Sequence, residues 1–308
     1  MNIMSLINAL PGASAQGLIW GIMAIGVYLT FRILDVADLT VDGTMCTGGA
    51  VCVMMLMSGH NIWVSMLAAT GAGMLAGLAT GIFHTFMGIP AILAGILTQL
   101  GLYSANLKIM GKANQPVSVD NYPLVVSLRY VTDGSVSRLL FFLGMIVFLL
   151  ALIAVMYWYF GTEQGHAIRA TGCNSNMARA QGINTNFIKV LALMISNVLV
   201  GLCGALYGQF QGASDVNMGR GAIVIGLAAV IIGEVLFGKF ASKRKLAFAF
   251  TLASVILGAV IYYMVYQFVL WLKMPSEDMK LFSAIVVAIF LAIPYLKEKR
   301  TLRKGASK

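Results

Sequence analysis

Two kinds of polar cluster interrupt an otherwise apolar chain. In the first, RILDVADLTVDGT, Asp35, Asp38 and Asp42 stand three and four residues apart beside Thr40 and Thr44. Carboxylates beside membrane-length apolar runs are costly, and they face water, a partner or a solute pathway. The residues that follow, Gly43, Thr47, Gly48 and Gly49, are poor membrane-helix formers. This implies a broken or late-starting helix whose backbone and hydroxyls line a cavity. The plainer alternative is a solvated loop in which Asp42 or Thr44 caps the next helix. A second knot, GQFQGASDVNMGRG, repeats the theme with Asp215, Asn217 and Arg220. Asp38, Thr40, Asp42, Thr44, Gln209 and Asn217 are therefore the candidates for lining or gating a solute path.

The second kind is GTEQGHAIRATGCNSNMARAQGINTN, Gly161 to Asn186. It carries Glu163, His166, Arg169 and Arg179, in short helical phrases closed by Gly172 and Gly182. A loop joining two membrane helices needs only a few turn residues. This one has the length and polarity to meet a partner in the aqueous phase.

Catalytic patterns are missing. There is no HExxH and no GxSxG, and the four cysteines show neither CxxC spacing nor a nearby histidine. GEVLFGK (Gly233 to Lys239) has part of a phosphate-loop spacing. It is followed by Phe240 rather than Ser or Thr, and it closes an apolar run instead of following a strand. GAGMLA (Gly71 to Ala76) mimics a dinucleotide fingerprint, but it lies within a span. Gly73, Gly77 and Gly81, like Gly204, Gly208 and Gly212, fall four apart and fit close helix packing. No metal site and no catalytic residue is expected.

The elements that position these clusters follow from composition. The 308 residues are 59% hydrophobic and 10% charged, whereas soluble domains carry about 25% charged residues. A membrane helix needs roughly 20 apolar residues, and nine such segments are expected: 15–34, 43–58, 61–83, 88–108, 138–160, 187–210, 219–238, 246–271 and 281–296. The fold class is an all-α polytopic membrane protein with about nine spans (8–10). Its parts are an interfacial N-terminal segment (1–14), a membrane domain (15–296) and a basic tail (297–308). With no Lys or Arg in the first 14 residues, no cleavable signal peptide is expected.

The net charge of +10 does not imply nucleic acid, because the basic residues lie in short segments beside spans. Arg32, Arg169, Arg179, Lys189, the group from Lys239 to Lys245 and the tail all fall on one side if the C-terminus is cytoplasmic. The excess of positive charge on inner loops favours N-out, C-in, and segment 161–187 is then cytoplasmic. The two polar knots would have opposite orientations, which suggests an inverted repeat of spans 1–4 and 6–9 about span 5.

In this placement, EQGHAIRATGCNSNMARAQGIN resembles the coupling segment of ABC importer permeases of the branched-chain amino acid and ribose type. Those read G-x-x-x-R-A-x-G-x-N-x-x-x-A-x-x-x-G-I-N. The matching positions are Gly165, Arg169, Ala170, Gly172, Asn174, Ala178, Gly182, Ile183 and Asn184. A narrower similarity, through QGLIWGIMAIGVYLTFRILDVADLTVDGT, is to permeases of tryptophan/tyrosine uptake systems; Met45-Cys46 departs from that pattern.

The resemblance implies a permease subunit in the bacterial cytoplasmic membrane, surrounded by lipid. It would work as a homodimer with a separate ATP-binding subunit and an extracytoplasmic substrate-binding protein. It would carry no cofactor of its own, ATP and Mg²⁺ being held by the partner. Glu163, Gly165, Arg169, Ala170, Gly172, Asn174, Ala178, Gly182 and Asn184 would form the surface seated in the ATPase, with Arg169 paired to an acidic rim. The solute would be a small one, an amino acid with an aromatic side chain, with a branched-chain amino acid, a sugar or a nucleoside as alternatives. An ion-coupled secondary transporter and a membrane enzyme or scaffold are the rival classes.

Overall fold

The computed structural model describes residues 3–122, 124–132, 135–241 and 246–272, with positions 281, 285, 288 and 292. Helix α1 (Ile3–Tyr28) runs into a π-helical turn, Leu29–Ile33. Then come α2 (Thr40–Met57), α3 (Ile62–Thr85), α4 (Ala91–Met110), the short strand β1 (Asn114–Pro116), α5 (Leu128–Thr132) and α6 (Ser135–Phe160). Two short helices, α7 (Glu163–Cys173) and α8 (Ser175–Ala180), precede α9 (Thr185–Gln211). The strand β2 (Ala213–Asp215), α10 (Ala222–Ala241) and α11 (Ala247–Trp271) complete the described elements.

Among the described residues, seven helices are long and apolar enough to cross a membrane: α1 with its π turn, α2, α3, α4, α6, α9 and α11. The apolar stretch of α10, Ala222–Gly238, is shorter. It starts three residues later than expected, after Gly221 at a left-handed φ of 83°. The expected ninth span, 281–296, lies outside the described residues apart from four single positions, and so does the tail 297–308. The first helix starts at Ile3 rather than near residue 15, so positions 3–14 belong to the same continuous helix. Pro11 does not break it. Proline removes one N–H and leaves only the Ile7 carbonyl without its helical donor, while the helix continues on both sides of it.

Helices α1, α2 and α9 form the buried centre, and α4 and α6 lie at the periphery. Helix α1 packs on α10 and α11, while α9 packs on α3 and α2. Gly73 and Gly77 on α3 face the backbone carbonyls of Asn197 and Leu193 so closely that a Cβ on either would collide with them. Gly204 likewise meets the Met45 carbonyl on α2. Small residues let membrane helices approach to backbone contact. Gly212 has a different task, ending α9 in a left-handed conformation at φ 72°. Strands β1 and β2 pair antiparallel, Gln115 opposite Ser214, and tie the connector after α4 to the one after α9.

Candidate functional site

The chain from the π turn to α2 is a deep connector rather than a solvated loop. Asp35 adopts φ 57° and turns the chain; Asp tolerates this left-handed region better than most residues. Asp38 then points inward. Its Oδ1 accepts the Thr40 N–H at 2.9 Å, and its Oδ2 accepts the Asn197 Nδ2–H at 2.7 Å. Asn197 Oδ1 accepts the Thr44 hydroxyl at 2.7 Å. The Thr40 hydroxyl meets that of Thr80 at 2.6 Å, and Thr80 donates to Thr98 at 2.8 Å. All six side chains are buried. Burial pushes the Asp38 carboxyl above its ordinary pKa, and the bonds from Thr40 and Asn197 offset part of that rise. These residues bind α2, α3, α4 and α9 into one sealed polar network.

Asp42, one turn further, behaves differently. It sits in the first turn of α2 and is half-buried. Its Oδ2 accepts the Gly221 N–H at 2.9 Å and its Oδ1 the Ile223 N–H at 3.0 Å, so it caps α10 from another helix. A carboxylate there satisfies orphan donors and complements the positive end of the helix dipole. The Gly219 N–H reaches Cys46 Sγ at 3.2 Å. The starts of α2 and α10 therefore meet across Asp42.

Beside this junction lies a cavity of about 240 Å³, lined by Asp42, Gly43 and Cys46 from α2, by Gln99, Leu100, Tyr103 and Asn106 from α4, and by Val216, Asn217 and Arg220. Of the six path candidates, the structure brings only Asp42 and Asn217 to this cavity. Asp38, Thr40 and Thr44 are sealed in the network. Gln209 is fully buried elsewhere, accepting the Val125 N–H at 3.1 Å and reaching Cys52 Sγ at 3.4 Å. Sequence reasoning passed over Asn197 and Asn106. The available signal was a lone amide within an apolar run, the kind of intramembrane polar group that has a specific partner or task.

The polar cluster from Gly161 to Asn186 becomes α7 and α8. Thr162 Oγ1 caps α7 by accepting the Gly165 N–H at 3.4 Å. Asn174 Oδ1 caps α8 through the N–H groups of Asn176 and Met177 at 3.1 and 3.0 Å, and Asn184 Oδ1 caps α9 through Phe187 at 3.2 Å. Gly182 turns the chain at φ 86°, and Ala178 is buried. A Cβ on Gly165 would strike Phe160, and one on Gly172 would strike the Ile33 carbonyl of the π turn. Much of the recognised pattern thus builds the segment itself.

Arg169 is half-buried, with its guanidinium 4.4 Å from the Phe248 ring centroid and 5.4 Å from that of Phe160. This cation–π seat anchors α7 to α6 and α11. Glu163, His166 and Asn174 are exposed, as is Met177 at 61%; Ala170 is intermediate. The π turn beneath α7 is also tied to α10, through the Arg32 Nε–Glu234 Oε1 pair at 2.9 Å.

A family model described as branched-chain amino acid transport system / permease component matches residues 11–294. The chain is 40% identical over 277 residues to the tyrosine transport system permease protein of Clostridioides difficile (strain R20291), covering 90% of this chain and 88% of that one. It is 29% identical over 280 residues to the galactofuranose transporter permease protein of Escherichia coli (strain K12), covering 88% and 75%. With the fructose import permease protein of Bifidobacterium longum (strain NCC 2705) it shares 28% over 291 residues, covering 87% and 75%.

Proposed function

Since the chain belongs to the branched-chain amino acid transport system / permease component family, we propose that the solute it moves is an amino acid with an aromatic side chain. The protein is a multi-pass permease subunit of a bacterial ABC importer. It is not itself an enzyme and carries no cofactor; ATP is hydrolysed by a separate ATP-binding subunit. Family membership sets aside the ion-coupled transporter and the membrane enzyme. The observation that carries the substrate reading is the 40% identity, over nine-tenths of the chain, to a tyrosine transport permease. The sugar permeases stand at 28–29%.

In this reading α7 and α8 seat in the ATP-binding subunit. Glu163, His166, Asn174 and Met177 supply the exposed surface, while Gly165, Arg169, Gly172, Ala178, Gly182 and Asn184 hold its shape. Closure of the ATPases pushes α7 against the π turn, and Gly172 packed on Ile33 supports that route. Coupling then follows if the ATPase binds the inward- and outward-open states differently. The reciprocal packing of α1 on α10 and α11, and of α9 on α2 and α3, supports an inverted repeat about α6. The charge distribution supports N-out, C-in, with an extracytoplasmic binding protein on the face opposite α7. On α4, Ile92, Ile96, Leu100 and Tyr103 are exposed, an apolar face suited to a second copy in a homodimer.

The test is transport in proteoliposomes holding the permease, its ATP-binding subunit and its binding protein. ATP-dependent accumulation of labelled L-tyrosine or L-tryptophan, above that of leucine, galactofuranose and fructose, is the expected result. Accumulation of a sugar with no aromatic amino acid would overturn the substrate reading.

A further inference from the structure

The side chain of Asn106 is 1% exposed, yet neither Nδ2 nor Oδ1 has a hydrogen-bond partner among the described residues. A buried amide left unsatisfied is unfavourable, and membrane helices normally pair such groups across an interface. Asn106 lines the 240 Å³ cavity at the junction of α2 and α10. The guanidinium of Arg220, exposed at the same cavity, has no ion-pair or hydrogen-bond partner among the described residues. Opposite charge is present too, on Asp42, although its carboxylate is engaged by two backbone N–H groups. The cavity is smaller than the roughly 300 Å³ at which drug-sized pockets begin, so it suits one small solute and not a peptide.

We propose that this cavity is the permease's own recognition site for a zwitterionic amino acid. The Arg220 guanidinium takes the α-carboxylate in a charge-assisted pair. The Asn106 amide supplies the donor and acceptor it now lacks a use for, and Asp42 faces the α-ammonium. Leu100 and Tyr103 furnish an apolar wall for the side chain. The inference rests on the amino-acid importer reading and adds the residues that would recognise the solute inside the membrane. Its physical signature is a conflict between stability and function. An unpartnered amide weakens the empty fold, so an apolar replacement of the same branched shape relieves that cost while removing the contact with solute.

The assembled importer in proteoliposomes tests this with Asn106→Leu and Arg220→Gln, reading L-tyrosine uptake per ATP hydrolysed together with the melting temperature of the purified complex. Uptake per ATP is expected to fall at least tenfold in both variants, while Asn106→Leu melts at or above the wild-type temperature. Arg220 is exposed, so its variant decides the question even if Asn106→Leu fails to assemble. Wild-type uptake per ATP in Arg220→Gln would overturn the site and leave the importer reading standing. A lower melting temperature in Asn106→Leu would overturn the unpartnered amide. Absence of tyrosine transport by the wild type would overturn the substrate reading, and this ligand assignment with it.

Discussion

Replacing Asn197 with leucine probes the energetic weight of the sealed network, because the two side chains share branching and heavy-atom number and no cavity is opened, the bulkier methyl groups adding to any loss. The wild-type amide makes three bonds: to Asp38 Oδ2 at 2.7 Å, to the Leu193 carbonyl at 2.9 Å, and from the Thr44 hydroxyl at 2.7 Å. Leu193 loses only an extra donor. Thr44 can turn its hydroxyl to the carbonyl one turn back, as buried threonines in helices do. Asp38 keeps the Thr40 N–H and hydroxyl as donors to its carboxyl, but Oδ2 loses the Asn197 amide and stays enclosed. Interhelical bonds in membrane proteins average only about 0.6 kcal/mol, but an orphaned buried group costs about 1–3 kcal/mol, more when charged. Asp38 can take up a proton, which keeps the penalty below the roughly 3–5 kcal/mol of a stranded buried charge. The expected loss is about 2–3 kcal/mol, or roughly 30- to 140-fold in the unfolding constant.

The assay is unfolding of the purified permease in mixed micelles by SDS titration, followed by helical circular dichroism. Thr98→Val is the internal control. It removes only the end of the threonine chain, and Thr80 keeps the Ala76 carbonyl and the Thr40 hydroxyl, so the loss should stay below about 1 kcal/mol. An Asn197→Leu variant within about 0.5 kcal/mol of wild type, the range of ordinary surface changes, would refute the argument. It would mean that water reaches Asp38 and that the network is not sealed.

Gly172→Val drives a side chain into the Ile33 carbonyl and should cost about 1–3 kcal/mol through overpacking, with uptake in proteoliposomes falling further than stability; normal uptake would remove the π turn from the coupling route. Cys173 is the one exposed cysteine among the four, so a membrane-impermeant maleimide should label inside-out vesicles but not intact cells. Added ATP-binding subunit should slow that labelling, and rapid labelling of intact cells would reverse the topology. Burial raises the folded pKa of Asp38 above 3.8, so the folded state keeps this proton to a higher pH than the unfolded chain does. Stability from this group is therefore greatest below 3.8 and declines as pH rises towards the raised folded value. Asp38→Asn should flatten that slope in pH-dependent melting, and an unchanged slope would show that Asp38 does not carry it.

Much of the fold was legible because its causes are local. Apolar runs of membrane length must satisfy their backbone internally, and helices do that. Asn174 and Asn184 stand where a short polar side chain caps a helix, and Gly182 where the chain must turn left-handed. The pattern of segment 161–186 was readable for the same reason: many of its fixed positions encode its own helices and turns.

The destinations of the polar side chains were not legible. Asp38 and Asp42 are neighbours in a single phrase, yet one closes a buried network with Asn197 and the other caps α10 beside an open cavity. What separates them is contributed by α9 and α10, more than 150 residues away. Arg169 read as a charge offered to a partner, but the rings of Phe160 and Phe248 claim it. The sequence by itself determined an all-helical membrane permease and the short capped helices of segment 161–186, because apolar length and caps act within a few turns. Only the tertiary structure decided which polar residues are sealed and which line a cavity, because burial and hydrogen-bond partners are properties of helices brought together across the whole chain.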